Sequence, residues 1–147
     1  MDLLNLDNID KTATKDKVDA LLKCYHRFRR LSGRQIEQSL TQQLSFMPRP
    51  DSTPQGSEIE FKVQRKIDAE RLIKDINEAI NAQELKSRIR LTDKYIEKAH
   101  LFDYEIYSRE SISETTYYRE LSKAQIGFAE SYRDGELLVY VKKMGEN

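Results

Sequence analysis

The stretch FDYEIYSRESISETTYYRELSKAQIGFAESY, residues 102–132, decides how this chain is read. It lays out a short helix, a turn and a longer helix. Ile106 and Tyr107 give the short helix an apolar side, and Ser111-Ile112-Ser113 breaks the pattern. Ser113 is placed as an N-cap, because its hydroxyl can accept from an amide of the next turn that has no helical partner. Glu114 follows, where a negative charge meets the positive end of the helix dipole. From there Tyr117, Leu121, Ala124 and Phe128 recur at intervals of four, three and four, which puts them on one face. At about 100° per residue, Thr115, Arg119, Ser122 and Lys123 point the other way, with Thr116 and Tyr118 on the flanks. A small polar face at the start of a second helix, with an Arg in its second turn, suits base edges in a DNA major groove. A surface helix of an ordinary helical domain carries the same pattern, so the face alone does not decide between them.

Composition narrows the classes. The 147 residues are 38% hydrophobic and 34% charged, which suits one modest core under a highly charged surface. No apolar run is long enough to span a membrane, and MDLLNLDNID lacks the basic start and apolar centre of a secretory signal. Cys24 stands alone and fits a reducing, cytoplasmic setting. His26 and His100 are the only histidines, and neither a thiol–imidazole pair nor a zinc site is legible. Phosphate-cradling glycine loops and a nucleophile elbow are missing as well. The expectation is therefore a protein without catalysis, cofactor or metal.

Net charge is zero, which speaks against a strong DNA binder unless the cations are unevenly placed. They are. Residues 15–34 carry Lys15, Lys17, Lys23, Arg27, Arg29, Arg30 and Arg34 against Asp16 and Asp19, whereas residues 103–130 are acidic by count. A positive field for DNA is thus expected from segments outside the helix-turn-helix.

Outward from the central stretch, residues 12–32 read as one basic amphipathic helix with Val18, Leu21, Leu22, Tyr25 and Phe28 as its stripe, stopped by Gly33. Residues 35–57 hold Pro48, Pro50, Pro54 and Gly56 and read as a linker, with Phe46 and Met47 as anchors. A long helix is expected from about Glu58 to Ala82, its stripe packed on the chain itself. Residues 84–100 read as a further helix with Leu85, Ile89, Ile96 and Ala99 inward. Its cations Lys86, Arg88, Arg90 and Lys94 are expected outward, as candidate phosphate contacts. After the central stretch, Asp134-Gly135 makes a turn and residues 137–141 form a β-leaning run that must cover the helices or pair. Three domains follow from this pass: 1–34, 35–57 and 58–147.

Laid out in order, these segments resemble the ArpU-type phage transcriptional regulators. DYEIY (103–107), Ser113-x-Thr115-x-Tyr117-Tyr118-Arg119, Phe128-Ala129-Glu130-x-Tyr132 and GELLVY (135–140) carry the resemblance. The upstream layout agrees, through SFMPRPDSTPQGSEIE and KIDAERLIKDINEAINA. The chain is similar, more distantly, to region 4 of bacterial sigma factors. Such motifs usually have a small residue and then Leu-Gly at the turn; here Tyr107 and Glu110-Ser111 stand there, so either the turn is built differently or Ser111 takes the left-handed position at a cost that weakens the motif. Gly127 inside the second helix is a further departure.

The resemblance implies a sequence-specific DNA-binding regulator of late packaging or lysis genes in a phage or prophage of a Gram-positive host. Ser113, Thr115, Thr116, Tyr118, Arg119, Ser122 and Lys123 form the expected DNA interface, with helix 113–131 in the major groove. Two alternatives are a module that docks on host RNA polymerase and a DNA-packaging recognition subunit. A homodimer would match paired half-sites. The expected fold is all-α, a C-terminal helix-turn-helix domain of the sigma region 4 kind preceded by a helix and a Pro-rich linker.

Overall fold

Local signals start and stop each helix. Asp10 caps α1 (Lys11–Leu22), its carboxylate accepting from the Ala13 N–H at 3.1 Å. The helix closes where the Lys23 N–H reaches the Asp19 carbonyl, and Cys24 at φ −89°, ψ 0° leaves helical geometry. The chain restarts as α2 (Tyr25–Leu31), so the single helix expected over residues 12–32 is two. Ser32 ends α2, its hydroxyl donating to the Arg29 carbonyl at 3.1 Å, one residue ahead of the expected stop at Gly33.

The computed structural model describes residues 8–33 and 53–141. Most of the expected linker, with Phe46 and Met47, lies outside the described residues. The helix α3 (Thr53–Asn81) begins inside the Pro-rich stretch, with Pro54 in its first turn, where a missing N–H costs nothing.

Next comes α4 (Leu85–Leu91), which passes into a π-helical turn, Thr92–Ile96, closed by the Glu97 N–H on the Thr92 carbonyl at 2.9 Å. The expected helix over 84–100 therefore ends early, and although Lys86 points outward as expected, Arg90, Leu85 and Ile89 do not follow the expected faces. Ser87, Arg90, Leu91 and Tyr95 are buried, whereas Leu85 is 63% and Ile89 38% exposed. The reason is electrostatic: Arg90 is drawn inward by Glu110, just past the end of the next helix, and by Glu120 of the one after it.

Those helices are α5 (Asp103–Arg109) and α6 (Glu114–Ser131). Ser111 lies between them at φ +58°, so of the two alternatives for the turn the chain takes the one with serine in the left-handed region. Ser113 caps α6 as expected, accepting from the Thr116 N–H at 3.1 Å. Tyr117, Leu121, Ala124 and Phe128 are all buried.

Behind α6 the chain reverses through Arg133, Asp134 and Gly135, all at positive φ. The β-leaning run then pairs within the chain: Ile9 and Tyr140 form an antiparallel bridge, and the Asp10 N–H donates to the Val139 carbonyl at 2.8 Å. Among the described residues this is an isolated bridge, and the fold is all-helical.

The chain divides into two compact units. One, Met1–Lys23 with Asp75–Asn147, is built on α6, which α1 and α4 cover from two sides. Its core holds Val18, Leu22, Ile76, Leu91, Ile106, Tyr117 and Phe128. The other, Cys24–Lys74, contains α2 and the first part of α3. Of the α3 stripe expected to pack, Val63 and Ile67 are exposed in this unit, whereas Ile76 and Ile80 further on are buried as expected. No helix among the described residues is long and apolar enough to cross a membrane.

Candidate nucleic-acid interface

The geometry of the α5–turn–α6 segment depends on one buried cation. Arg90 is 6% exposed and lies with its guanidinium 5.7 Å from the Tyr117 ring centroid. Its Nη2 pairs with Glu110 in the turn, and its Nε donates to Glu120 of α6 at 2.8 Å. Asp93 approaches Nη1 at 3.9 Å and takes Arg109 at 3.6 Å. Glu110 stands where the apolar turn residue of such motifs is usual, and Arg90 is what makes a carboxylate tolerable there. A planar guanidinium with five donors can bridge two helices and a turn at once.

Charge states follow from these contacts. The Glu110 hydrogen bond, foremost, raises the Arg90 pKa above its ordinary value, so the guanidinium stays charged. The bond to Arg90 likewise holds Glu110 below the usual carboxylate range. Asp93 is the exception: burial and then its hydrogen bond with Glu110 push it up to about 6.

A second network fixes the start of α5. Asp103 Oδ1 accepts from Lys94 Nζ at 2.7 Å and from the Tyr117 hydroxyl at 2.6 Å. Burial, and then the Asp103 contact, raise the Tyr117 pKa well above the ordinary phenol value, so this hydroxyl remains a donor. A third network pins α1 to α6. Gln125 Nε2 donates to the Tyr95 hydroxyl at 2.8 Å, and that hydroxyl donates to Asp19 at 2.7 Å. Burial works to raise the Asp19 carboxyl, but hydrogen bonds from Lys23 and Tyr95 outweigh it and hold it low.

With α6 fixed on its inner side, its outer side presents several of the expected interface residues. Thr115, Arg119 and Lys123 are exposed, and Tyr118 is 41% exposed. Ser113 and Thr116 hydroxyls are 2.9 Å apart and serve the cap. Tyr118 leans toward Asp103, its hydroxyl 3.5 Å from Oδ2. Ser122 is half-buried and accepts from Lys15 Nζ of α1 at 3.3 Å. Arg119 and Lys123 share a groove of about 570 Å³ with Glu84, Leu85, Lys86, Ser87 and Glu120. Lys123 pairs there with Glu84 at 2.8 Å.

The candidate phosphate contacts do not form one group. Lys86 is 76% exposed at the groove, 3.9 Å from Glu120. Arg88 is half-buried, and its Nε is buried without a hydrogen-bond partner. Lys94 is held by Asp103 and lies 5.7 Å from the Tyr95 ring centroid. Arg90 is the clear correction: a guanidinium buried inside the fold and paired there with Glu110 and Glu120 is out of reach of a phosphate. Helical periodicity put Arg90 outward because it scores a cation as polar; the signal it missed was the pair of acids at Glu110 and Glu120.

At Gly127 the neighbouring atoms are the end of one flexible side chain. A Cβ there would lie 2.2 Å from Gln83 Oε1, and Gln83 in turn donates to Ser131 Oγ at 3.1 Å.

No protein-family model matches the chain, and no solved structure matches it. Among curated proteins, one named as an autolysin regulatory protein, ArpU, of Streptococcus phage O1205, is 30% identical over 135 residues, covering 91% of this chain and 97% of that protein. With identity at that level along nearly the whole of both chains, the chain belongs to the ArpU family of phage regulatory proteins.

Proposed function

We propose that this chain binds double-stranded DNA sequence-specifically, with α6 in the major groove, and regulates late packaging or lysis genes of a phage or prophage. The observation that carries this reading is the exposed face of α6. Thr115, Tyr118, Arg119 and Lys123 stand outward on a helix whose opposite face is fixed by Arg90, Asp103 and Tyr95. A rigid helix with a small polar outer face and one long guanidinium fits a groove that admits one helix. Arg119 has no carboxylate within ion-pair distance among the described residues, so its donors are free for guanine O6 and N7. Thr115 suits a thymine methyl, and Tyr118 suits a phosphate. A relative named for autolysin regulation supports lysis genes as the target.

The test is recovery of DNA bound to the tagged protein across a lysogen genome, then mobility shift on the best site at two salt concentrations. One enriched site near late genes, with affinity falling as salt rises, is expected. Arg119→Ala should cost roughly 1–3 kcal/mol and relax preference at one base pair. Equal binding of cognate and scrambled DNA, before and after the change, would overturn the assignment.

A second reading rests on a separate observation. Phe102 and Tyr104 are 66% and 58% exposed and stack at 5.8 Å at the start of α5. An open aromatic pair suits a protein partner, and host RNA polymerase is the one this class of function offers. Co-purification of polymerase without any DNA enrichment would favour it.

A further inference from the structure

The helix α1 lies far from α6 in sequence, yet it forms one wall of the candidate interface. We propose that α1 is part of the DNA-binding platform and that Lys15 contacts a backbone phosphate, on the flank of α6 opposite Lys86. This rests on the DNA reading of α6.

The placement follows from helix geometry. At 3.6 residues per turn, Ser122 and Glu120 lie about 160° apart around α6, with Arg119 and Lys123 between them. Lys15 Nζ of α1 sits 3.3 Å from Ser122 Oγ, and Lys86 Nζ of α4 sits 3.9 Å from Glu120. The outward face of α6 is therefore bordered by one lysine on each side. A major groove is about 12 Å wide and an α-helix with its side chains is about 10–12 Å across. Groups that flank an inserted helix accordingly meet the two phosphate backbones, one on each side.

Lys15 is also held in position. Asp19, one turn further on, accepts from Tyr95, which Gln125 of α6 contacts in turn. Thr14 is fully buried and accepts from the Val139 N–H at 3.0 Å, while Val18 and Leu22 are in the core. The base of the Lys15 side chain is thus as fixed as α6 itself. Its charge remains available: among the described residues no carboxylate lies within ion-pair distance of Lys15, whereas Lys23, Lys94 and Lys123 are all paired. An ammonium without a protein counter-charge has the most to gain from a phosphate and releases a bound anion or water rather than breaking an ion pair. The neutral net charge of the chain is then no obstacle, because Arg119 on the reading face and Lys15 beside it have no carboxylate within ion-pair distance among the described residues.

The experiment measures DNA affinity against salt for the full chain and three variants. Lys15→Gln keeps a hydrogen-bond donor for Ser122 and removes the charge. It should reduce the slope of log affinity against log salt by about one and weaken cognate and scrambled DNA alike, roughly fivefold at physiological salt. Lys15→Arg should restore both. Ser122→Ala removes the hydrogen bond and leaves the charge, so the slope should not change. An unchanged slope in Lys15→Gln, or a slope loss in Ser122→Ala as large as in Lys15→Gln, overturns the proposal and makes Lys15 a structural tie. Absence of DNA binding by the unaltered chain at low salt instead overturns the reading of α6 and the proposal with it. Circular dichroism of each variant checks that the helices are intact.

Discussion

Replacing Arg90 by Ala should be the most damaging single change to the α5–α6 region. The substitution removes the pairs to Glu110 and Glu120 and leaves Glu110 beside Asp93 with only the exposed Arg109 near them, and Glu120 with only the exposed Lys86 at 3.9 Å. Removing one partner of a buried ion pair costs about 3–5 kcal/mol. Glu110 and Glu120 side chains are 23% and 17% exposed, so some hydration returns and the lower end of the range applies. The expected loss at pH 7 is about 3 kcal/mol. The pH dependence has a definite sign. Without Arg90 the hydrogen bond that holds Glu110 low is gone, and burial is left to push its carboxyl up. A carboxyl with a raised folded pKa binds more protons folded than unfolded, so stability falls as pH rises through that window. The penalty should therefore shrink by about 1 kcal/mol or more between pH 7 and pH 5. Urea unfolding followed by circular dichroism, at both pH values, measures it. Glu110→Gln and Glu120→Gln together should recover much of the loss in the Arg90→Ala background. A loss under about 1 kcal/mol at pH 7, or a loss independent of pH, would mean that Arg90 is not what holds the turn against α6.

Three further outcomes follow from the same geometry. Asp93, pushed up to about 6 by burial and by Glu110, should make the native protein lose stability as pH rises from about 4 to about 6. Asp93→Asn should therefore be more stable than the unaltered chain at pH 8, by about 1–2 kcal/mol, with the advantage gone near pH 4. Thermal melts across that range would show it. Ser111 sits at φ +58°, where a Cβ is strained, so Ser111→Gly should raise stability by about 0.5–1 kcal/mol in urea unfolding. Ser113→Ala removes the acceptor for the Thr116 N–H and should cost about 1 kcal/mol, seen in the same assay.

The segment from Phe102 to Tyr132 was legible because its determinants are local. A serine cap and a helical stripe each act within a few residues, and residue type and spacing report them directly. Ser113 and the Tyr117–Phe128 face accordingly stand where the pattern puts them. Membership in the ArpU family was legible for a related reason, since spaced residues along a whole chain carry ancestry even where each motif is weak. What tertiary structure decided is everything that depends on partners distant in sequence. Arg90 reads as a surface cation until Glu110 and Glu120 come to meet it. Leu85 and Ile89 read as core until the acids turn Arg90, and α4 with it, the other way. Lys15 reads as one of seven cations in a basic segment until Tyr95 and Gln125 bring α1 against α6. Periodicity averages over a helix and assigns each residue the preference of its type. A buried ion pair reverses that preference, because a charge goes inward where an opposite charge from another element lowers the cost of burying it.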